Sequence, residues 1–136
     1  MLGATGSGRG DVATFLGREF GFSRIHATVL AEREAELGSA DGKVIAKCLA
    51  NKRTCPMDVS CRVVKAEMLR VGGNKFLLDG FPRMVSMGYP MVHDQAFYLE
   101  ENLGRVTQVI SLDCTKAKKV ERCGDADAVN LSLIHI

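Results

Sequence analysis

Four glycines in eight residues, at 3, 6, 8 and 10 of GATGSGRG, stand near the start of the chain and run at once into an amphipathic segment. Such spacing lets successive backbone N–H groups turn inward around an anion, which a Cβ at every position would obstruct. From Val12 the apolar residues Val12, Phe15, Leu16 and Phe20 recur at three- and four-residue intervals, which predicts a helix that Gly21 terminates. A loop that opens into a helix is what a phosphate needs, because the helix N-terminus offers free N–H donors and the positive end of its dipole. The strict phosphate-loop pattern places a lysine after the glycine at 8 and a serine or threonine next, whereas Arg9 and Gly10 stand there in this chain. On these residues alone a phosphate cradle and an ordinary glycine-rich turn both remain open.

Downstream, FSRIHA at 22–27 reads as a short strand, Val29 to Leu37 as a helix ended by Gly38, and Val44, Ile45, Cys48 and Leu49 as the apolar side of another helix. Pro56 breaks the pattern, after which Cys61, Val64, Met68 and Val71 share one face of a longer helix closed by Gly72 and Gly73. KFLLDG at 75–80 is a short apolar strand ending in Asp79; a helical stretch then runs to the region of Asn102, and VTQVISLD at 106–113 reads as a second buried strand. Strands separated by helical segments of this length predict an α/β fold with a parallel sheet. Ligands of such sheets gather beyond the carboxyl ends of the strands, where Asp79, Asp113 and the glycine loop would all fall.

The bulk numbers narrow the function classes. With 136 residues, 46% hydrophobic and 25% charged, the chain can bury the core of one domain. Its 18 basic and 16 acidic side chains are spread along the sequence, so no charge field argues for nucleic acid or an anionic membrane. Five cysteines without a C-x-x-C pair, and three scattered histidines, predict reduced thiols and no zinc site. No stretch approaches the roughly 18 apolar residues of a membrane span and no signal peptide is evident, so a soluble, cytoplasmic protein is expected.

FLLDGFPR at 76–83, taken together with GATGSGRG, resembles the adenylate kinase family of nucleoside monophosphate kinases, whose second motif reads as apolar residues followed by D-G-[FY]-P-R. The resemblance continues through REFGF at 18–22, GSADGK at 38–43, CPMD at 55–58 and VISLD up to Arg122. It implies a three-layer phosphate-loop NTPase-type α/β fold, a parallel sheet with flanking helices, incomplete in this chain. Residues 1–123 would form that partial domain, with a helical acceptor-binding insert near 26–71 and an unrelated or artefactual tail at 124–136. It further implies transfer of the γ-phosphoryl group of ATP, with Mg2+, to a nucleoside monophosphate, by a monomer or by a segment of a larger chain. Gly3, Gly6, Ser7, Gly8, Arg9 and Gly10 would cradle the ATP phosphates, with Arg9 in place of the family's loop lysine. Arg83 would grip the acceptor's phosphate with Gly80 beside it, Arg122 would approach the ATP side, and Asp79 would hold magnesium through water. Phosphoryl transfer asks a protein for positioning and positive charge rather than covalent chemistry, so Arg9, Arg83 and Arg122 are the catalytic candidates.

The departures from the family pattern concentrate at the acceptor side. Aligned without gaps, the family's S-T-G-D-L-L-R segment becomes HATVLAE at 26–32, so Glu32 replaces an arginine that binds the acceptor phosphate. Arg33 would supply the charge if the helix were turned by one residue, about 100°. Met87 stands where adenylate kinases commonly place a glutamine that reads the acceptor adenine, so no AMP preference carries over. On the donor side Asp11 replaces a threonine, and Arg9 exchanges a compact ammonium for a planar fork. Only Met1 and Leu2 precede Gly3, and GDADAVNLSLIHI has no family counterpart, its LSLIHI end reading as translated sequencing adapter; a fragment of a larger protein is expected. Two alternatives stand beside the kinase reading: a catalytically impaired nucleotide-binding or scaffold module of a multidomain protein, and a phosphate-loop kinase for a different small acceptor.

Overall fold

Two short parallel ladders meet at the first residue of the chain. A computed structural model describes residues 1–3, 6–53, 55–81 and 92–123, with side chains of the last segment described from Phe97 onward. Its elements in chain order are β1 (Leu2–Gly3), α1 (Arg9–Phe20), β2 (Ser23–His26), α2 (Ala27–Leu37), α3 (Ala40–Ala50), α4 (Met57–Val71), β3 (Phe76–Asp79), α5 (Val92–Leu103), β4 (Ser111–Leu112) and α6 (Lys116–Cys123). β2 pairs with β3, Ser23 opposite Phe76 and His26 opposite Asp79, while β1 pairs with β4, Leu2 opposite Ser111. Met1 ties the two pairs together: its amino group donates to the Leu78 carbonyl at 2.5 Å and its carbonyl accepts from Gly80 N at 3.3 Å. The strands therefore lie side by side in the order β2, β3, β1, β4, all parallel, and helices make the crossovers that parallel neighbours require.

Alternation along β3 divides the core. Leu77 points to one face, where buried Met1 and Ala13 and the partly buried Val12 and Leu16 pack α1 against the sheet. Phe76 and Leu78 point to the other, against a cluster of Ile25, Leu30, Ile45, Val59, Val63 and Val64 drawn from β2, α2, α3 and α4. Phe81, just past β3, is buried with Cys61 of α4 and Leu99 of α5. Helices thus cover both faces of the sheet, the three-layer α/β arrangement expected from the sequence.

Local chemistry fixes the helix ends. Gly21, at φ 72°, closes α1 with its N–H on the Gly17 carbonyl, the left-handed stop that glycine adopts most readily. The Ser39 hydroxyl accepts from Gly42 N at 2.9 Å and starts α3. A Cβ on Gly42 would stand 2.2 Å from the Glu34 carbonyl, so the absence of a side chain there is what lets α2 and α3 approach.

Two expectations change. The apolar spacing of α1 put Phe15 and Phe20 on its core face, but they are 49% and 54% exposed. Small Ala13, fully buried, makes the close contact instead, and the two rings pair edge to face on the outer surface at 6.1 Å. The buried strand expected over 106–113 contracts to Ser111–Leu112, preceded by a hydrogen bond from Leu2 N to the Ile110 carbonyl. β1 offers two ladder residues, no described strand pairs with residues 106–109, and Val109 is 64% exposed. Among the described residues, no helix is long and apolar enough to cross a membrane.

Candidate functional site

The glycine loop leaves β1 at Gly3 and returns as Gly6, Ser7 and Gly8 before α1 begins at Arg9. Gly8 has φ 84°, a conformation that favours glycine, and a Cβ on it would have to displace the Arg122 guanidinium 2.8 Å away. The first helical hydrogen bond runs from Val12 N to the Gly8 carbonyl, which leaves the N–H groups of the first turn without acceptors inside the helix. Arg122, from α6, donates through Nη1 to the Gly6 carbonyl at 3.3 Å. Ser7 is buried and its hydroxyl has no hydrogen-bond partner among the described residues, although it sits directly against Gly3. Open amides at the start of α1 and an arginine on the Gly6 carbonyl make this end of the loop a positively charged lip.

Lys119 braces that lip from α6. It is 4% exposed and its ammonium donates at 2.7 Å to Asp113 at the end of β4; this bond, more than the Cys114 N–H beside it, holds the Asp113 carboxyl below its ordinary range.

At the carboxyl end of β3, Asp79 is 1% exposed yet carries a full set of cationic neighbours. Arg24 forks onto Oδ2 through Nε at 2.9 Å and Nη2 at 2.5 Å. Arg9 Nε stands 2.5 Å from Oδ1 as an ion pair whose alignment is not that of a hydrogen bond. Nη1 of Arg9 donates to the Gly3 carbonyl at 2.5 Å, and Nη2 comes close to Gly80. Arg9 therefore lies across the floor of the loop and onto β3. The strand register explains the cluster: His26 stands opposite Asp79 and Arg24 opposite Leu77, and alternate residues share a face. His26 Nε2 lies 3.9 Å from Oδ2, and Thr14 of α1 accepts from Arg24 Nη1 at 3.5 Å.

The magnesium expected on Asp79 through water does not fit this arrangement. Oδ2 is held by the Arg24 fork, and Oδ1 is closed off from solvent behind Arg9. A metal-bound water could reach the carboxylate only by displacing a guanidinium group. Among the described residues no group of His, Cys, Asp and Glu side chains is arranged to hold a metal.

Beside the cluster, on the far side of Arg24, lies a cleft of about 150 Å³. Arg24, Ile25 and His26 of β2, Val29, Leu30 and Arg33 of α2, and Glu67 of α4 line it. His26 also starts α2, its Nδ1 accepting from Val29 N at 3.4 Å. Residues 26, 29, 30 and 33 fall on one helix face, so Arg33 and not Glu32 turns toward the cleft, and Glu32 is exposed. Arg33 is already engaged, donating to Glu67 Oε2 at 2.6 Å and Oε1 at 3.3 Å. Arg70 grips the same carboxylate at 2.8 and 2.7 Å; Arg70 first and Arg33 second pull the Glu67 carboxyl down to about 2.

The structure therefore brings Gly3, Gly6, Ser7, Gly8, Arg9, Gly80, Asp79 and Arg122 to one corner and places Arg33 in the neighbouring cleft. Gly10 is exposed in the first turn of α1. Arg83 and Met87 lie outside the described residues. Sequence reasoning missed Arg24, whose signal was a basic residue two positions before His26, on the side of the strand opposite buried Ile25.

Residues 1–131 match the family model described as adenylate kinase. Among curated relatives, the UMP-CMP kinase of Prunus armeniaca is 32% identical over 123 residues, covering 90% of this chain and 50% of that protein. UMP-CMP kinase 3 of Oryza sativa subsp. japonica is 32% identical over 83 residues, covering 61% of this chain and 40% of that protein. The uridylate kinase of Saccharomyces cerevisiae is 25% identical over 126 residues, covering 90% and 58%. The chain spans about half the length of the curated relatives it matches.

Proposed function

The chain belongs to the adenylate kinase family, and from that premise we propose that it serves a nucleoside monophosphate kinase that moves the γ-phosphoryl group of ATP to a pyrimidine nucleoside monophosphate, UMP or CMP. One observation carries the reading: the glycine-loop corner and the cleft share Arg24, so two phosphate-bearing ligands would meet beside Asp79. The amides at the start of α1, with Arg9 and Arg122, would take the donor's phosphates. Arg24 and Arg33 would turn from their carboxylates to the acceptor's phosphate in the cleft.

A phosphate oxygen of the acceptor then attacks the γ-phosphorus, the bond from that phosphorus to the β–γ bridging oxygen breaks, and ADP leaves with the electron pair. Charge building on the bridging and equatorial oxygens is met by guanidinium groups already held in place, the main way a protein lowers this barrier. The pyrimidine preference is supported by the names of the relatives, while Met87, standing where adenylate kinases commonly place a glutamine, carries no AMP preference over.

Calorimetric titration with ATP and, separately, with UMP, CMP, AMP and GMP tests the reading, with Gly8→Val as the loop control. ATP binding lost in Gly8→Val, and UMP or CMP bound at least about tenfold more tightly than AMP or GMP, is the expected result. Absence of ATP binding, or ATP binding indifferent to Gly8→Val, overturns it. Donor binding without any acceptor would instead identify a nucleotide-binding module, the alternative favoured by the engagement of Arg33 with Glu67.

A further inference from the structure

We infer that this chain, while the neighbouring cleft is empty, takes the phosphates of ATP without a divalent cation, because Arg24 and Arg9 already supply at Asp79 the positive charge that a bound metal would bring. The inference rests on the nucleotide-binding reading above and goes beyond it by stating the ionic form of the ligand.

Asp79 is the buried carboxylate that Arg9 and Arg24 hold beside Gly80, and it is the position from which the family resemblance would hold magnesium. Its Oδ2 accepts two hydrogen bonds from Arg24, and its Oδ1 is buried behind Arg9. A carboxylate can bind a metal-bound water only through a lone pair that is both free and reachable, and neither oxygen meets both conditions. Electrostatics point the same way. Arg9, Arg24 and Arg122 converge on this corner around one buried carboxylate, so a dication would enter a field of like sign. A triphosphate without its metal carries more negative charge than the magnesium complex and suits that field better. The planar forks of arginine can meet phosphate oxygens two at a time, which a metal's water shell would otherwise do. Arg24 is the decisive residue: it reaches Asp79 from another strand, and without it Oδ2 would face His26 at 3.9 Å and become available to a water.

The test is isothermal titration of the full chain with ATP in EDTA and with ATP in excess MgCl2, repeated with inorganic tripolyphosphate as a probe lacking the nucleoside. Dissociation constants that agree within about threefold, or are tighter in EDTA, are expected. In Arg24→Met, which leaves Arg9 on Asp79, affinity in EDTA should fall by about tenfold or more and recover in part on adding MgCl2. ATP binding present with MgCl2 and abolished in EDTA for the unmodified chain overturns the inference and leaves the nucleotide reading standing. No ATP binding in either condition overturns both. Should Arg24→Met fail to fold by circular dichroism, the two-condition comparison on the unmodified chain still decides, and equal metal-free affinity in a folded Arg24→Met removes Arg24 from the role.

Discussion

Stripping both arginines from Asp79 should destabilise the protein by more than the two single losses together. Arg9 and Arg24 approach different oxygens of a carboxylate that is 1% exposed, so in Arg9→Met or Arg24→Met the remaining guanidinium still compensates the buried charge. Their side chains are 26% and 30% exposed, which places the loss of the Arg24 hydrogen bonds to a charged group at about 1.5 kcal/mol and that of the Arg9 ion pair at about 1 kcal/mol. The double variant leaves the carboxylate closed in with no cation, where breaking a buried pair costs about 3–5 kcal/mol. Methionine keeps an unbranched apolar stem in place, so lost packing contributes little to the difference. The coupling energy, taken as the double effect less singles that sum to about 2.5 kcal/mol, should therefore be about 0.5–2.5 kcal/mol. Urea unfolding followed by far-ultraviolet circular dichroism on the four proteins of the cycle gives that quantity directly. A coupling below about 0.5 kcal/mol, the range of independent sites, would mean that water or another group reaches Asp79 and would refute the account of a sealed carboxylate.

Other outcomes follow from the same coordinates. Gly42→Ala places a Cβ 2.2 Å from the Glu34 carbonyl and must push α2 from α3, lowering stability by about 1–3 kcal/mol in thermal or urea unfolding. Ile45→Ala, at a site 2% exposed in the main apolar cluster, should cost about 2–5 kcal/mol by the same assay. Glu67 is held at about 2, chiefly by Arg70 and then by Arg33; a depressed folded value means its contribution is present above its ordinary 4.5 and drains away as pH falls toward 2. Glu67→Gln should flatten stability across that acid window, and an unchanged acid profile would show the carboxylate to be solvated. Burial, with Asp58 nearby, pushes the Cys61 thiol up to about 11, so at neutral pH it should resist thiol reagents until the chain unfolds, while the half-buried Cys48, Cys114 and Cys123 react earlier.

Much of this arrangement is legible in the linear chain because it is written locally. The stop at Gly21, the helix that follows Pro56 and the strand FLLD each depend on residues within one or two turns of one another. The glycine loop belongs to the same class, since its conformational demand is carried by the glycines themselves. What escaped depends on distant partners. Arg24 acquires its meaning only when β2 lies in register with β3, across 55 residues of sequence. Arg33 was legible only on condition of a turned helix, because its facing in place of Glu32 depends on how α2 sits against α4. Phe15 and Phe20 carry the right spacing for a core, yet small Ala13 decides how closely α1 approaches the sheet. The segment over 106–110 has strand-forming residues, but a strand exists only where a neighbour offers backbone groups.

Arg24 both lines the cleft and grips Asp79 beside the glycine loop, and a side chain so placed makes the two proposed anion sites partners in one equilibrium. An anion in the cleft that draws the guanidinium toward itself withdraws it from Asp79 and from any phosphate on the loop. By reciprocity, whatever factor that exchange imposes on the loop's affinity is imposed equally on the cleft's by an occupant of the loop. Substituting Arg24 alters both dissociation constants and the link between them at once, so neither place can be tuned through it alone.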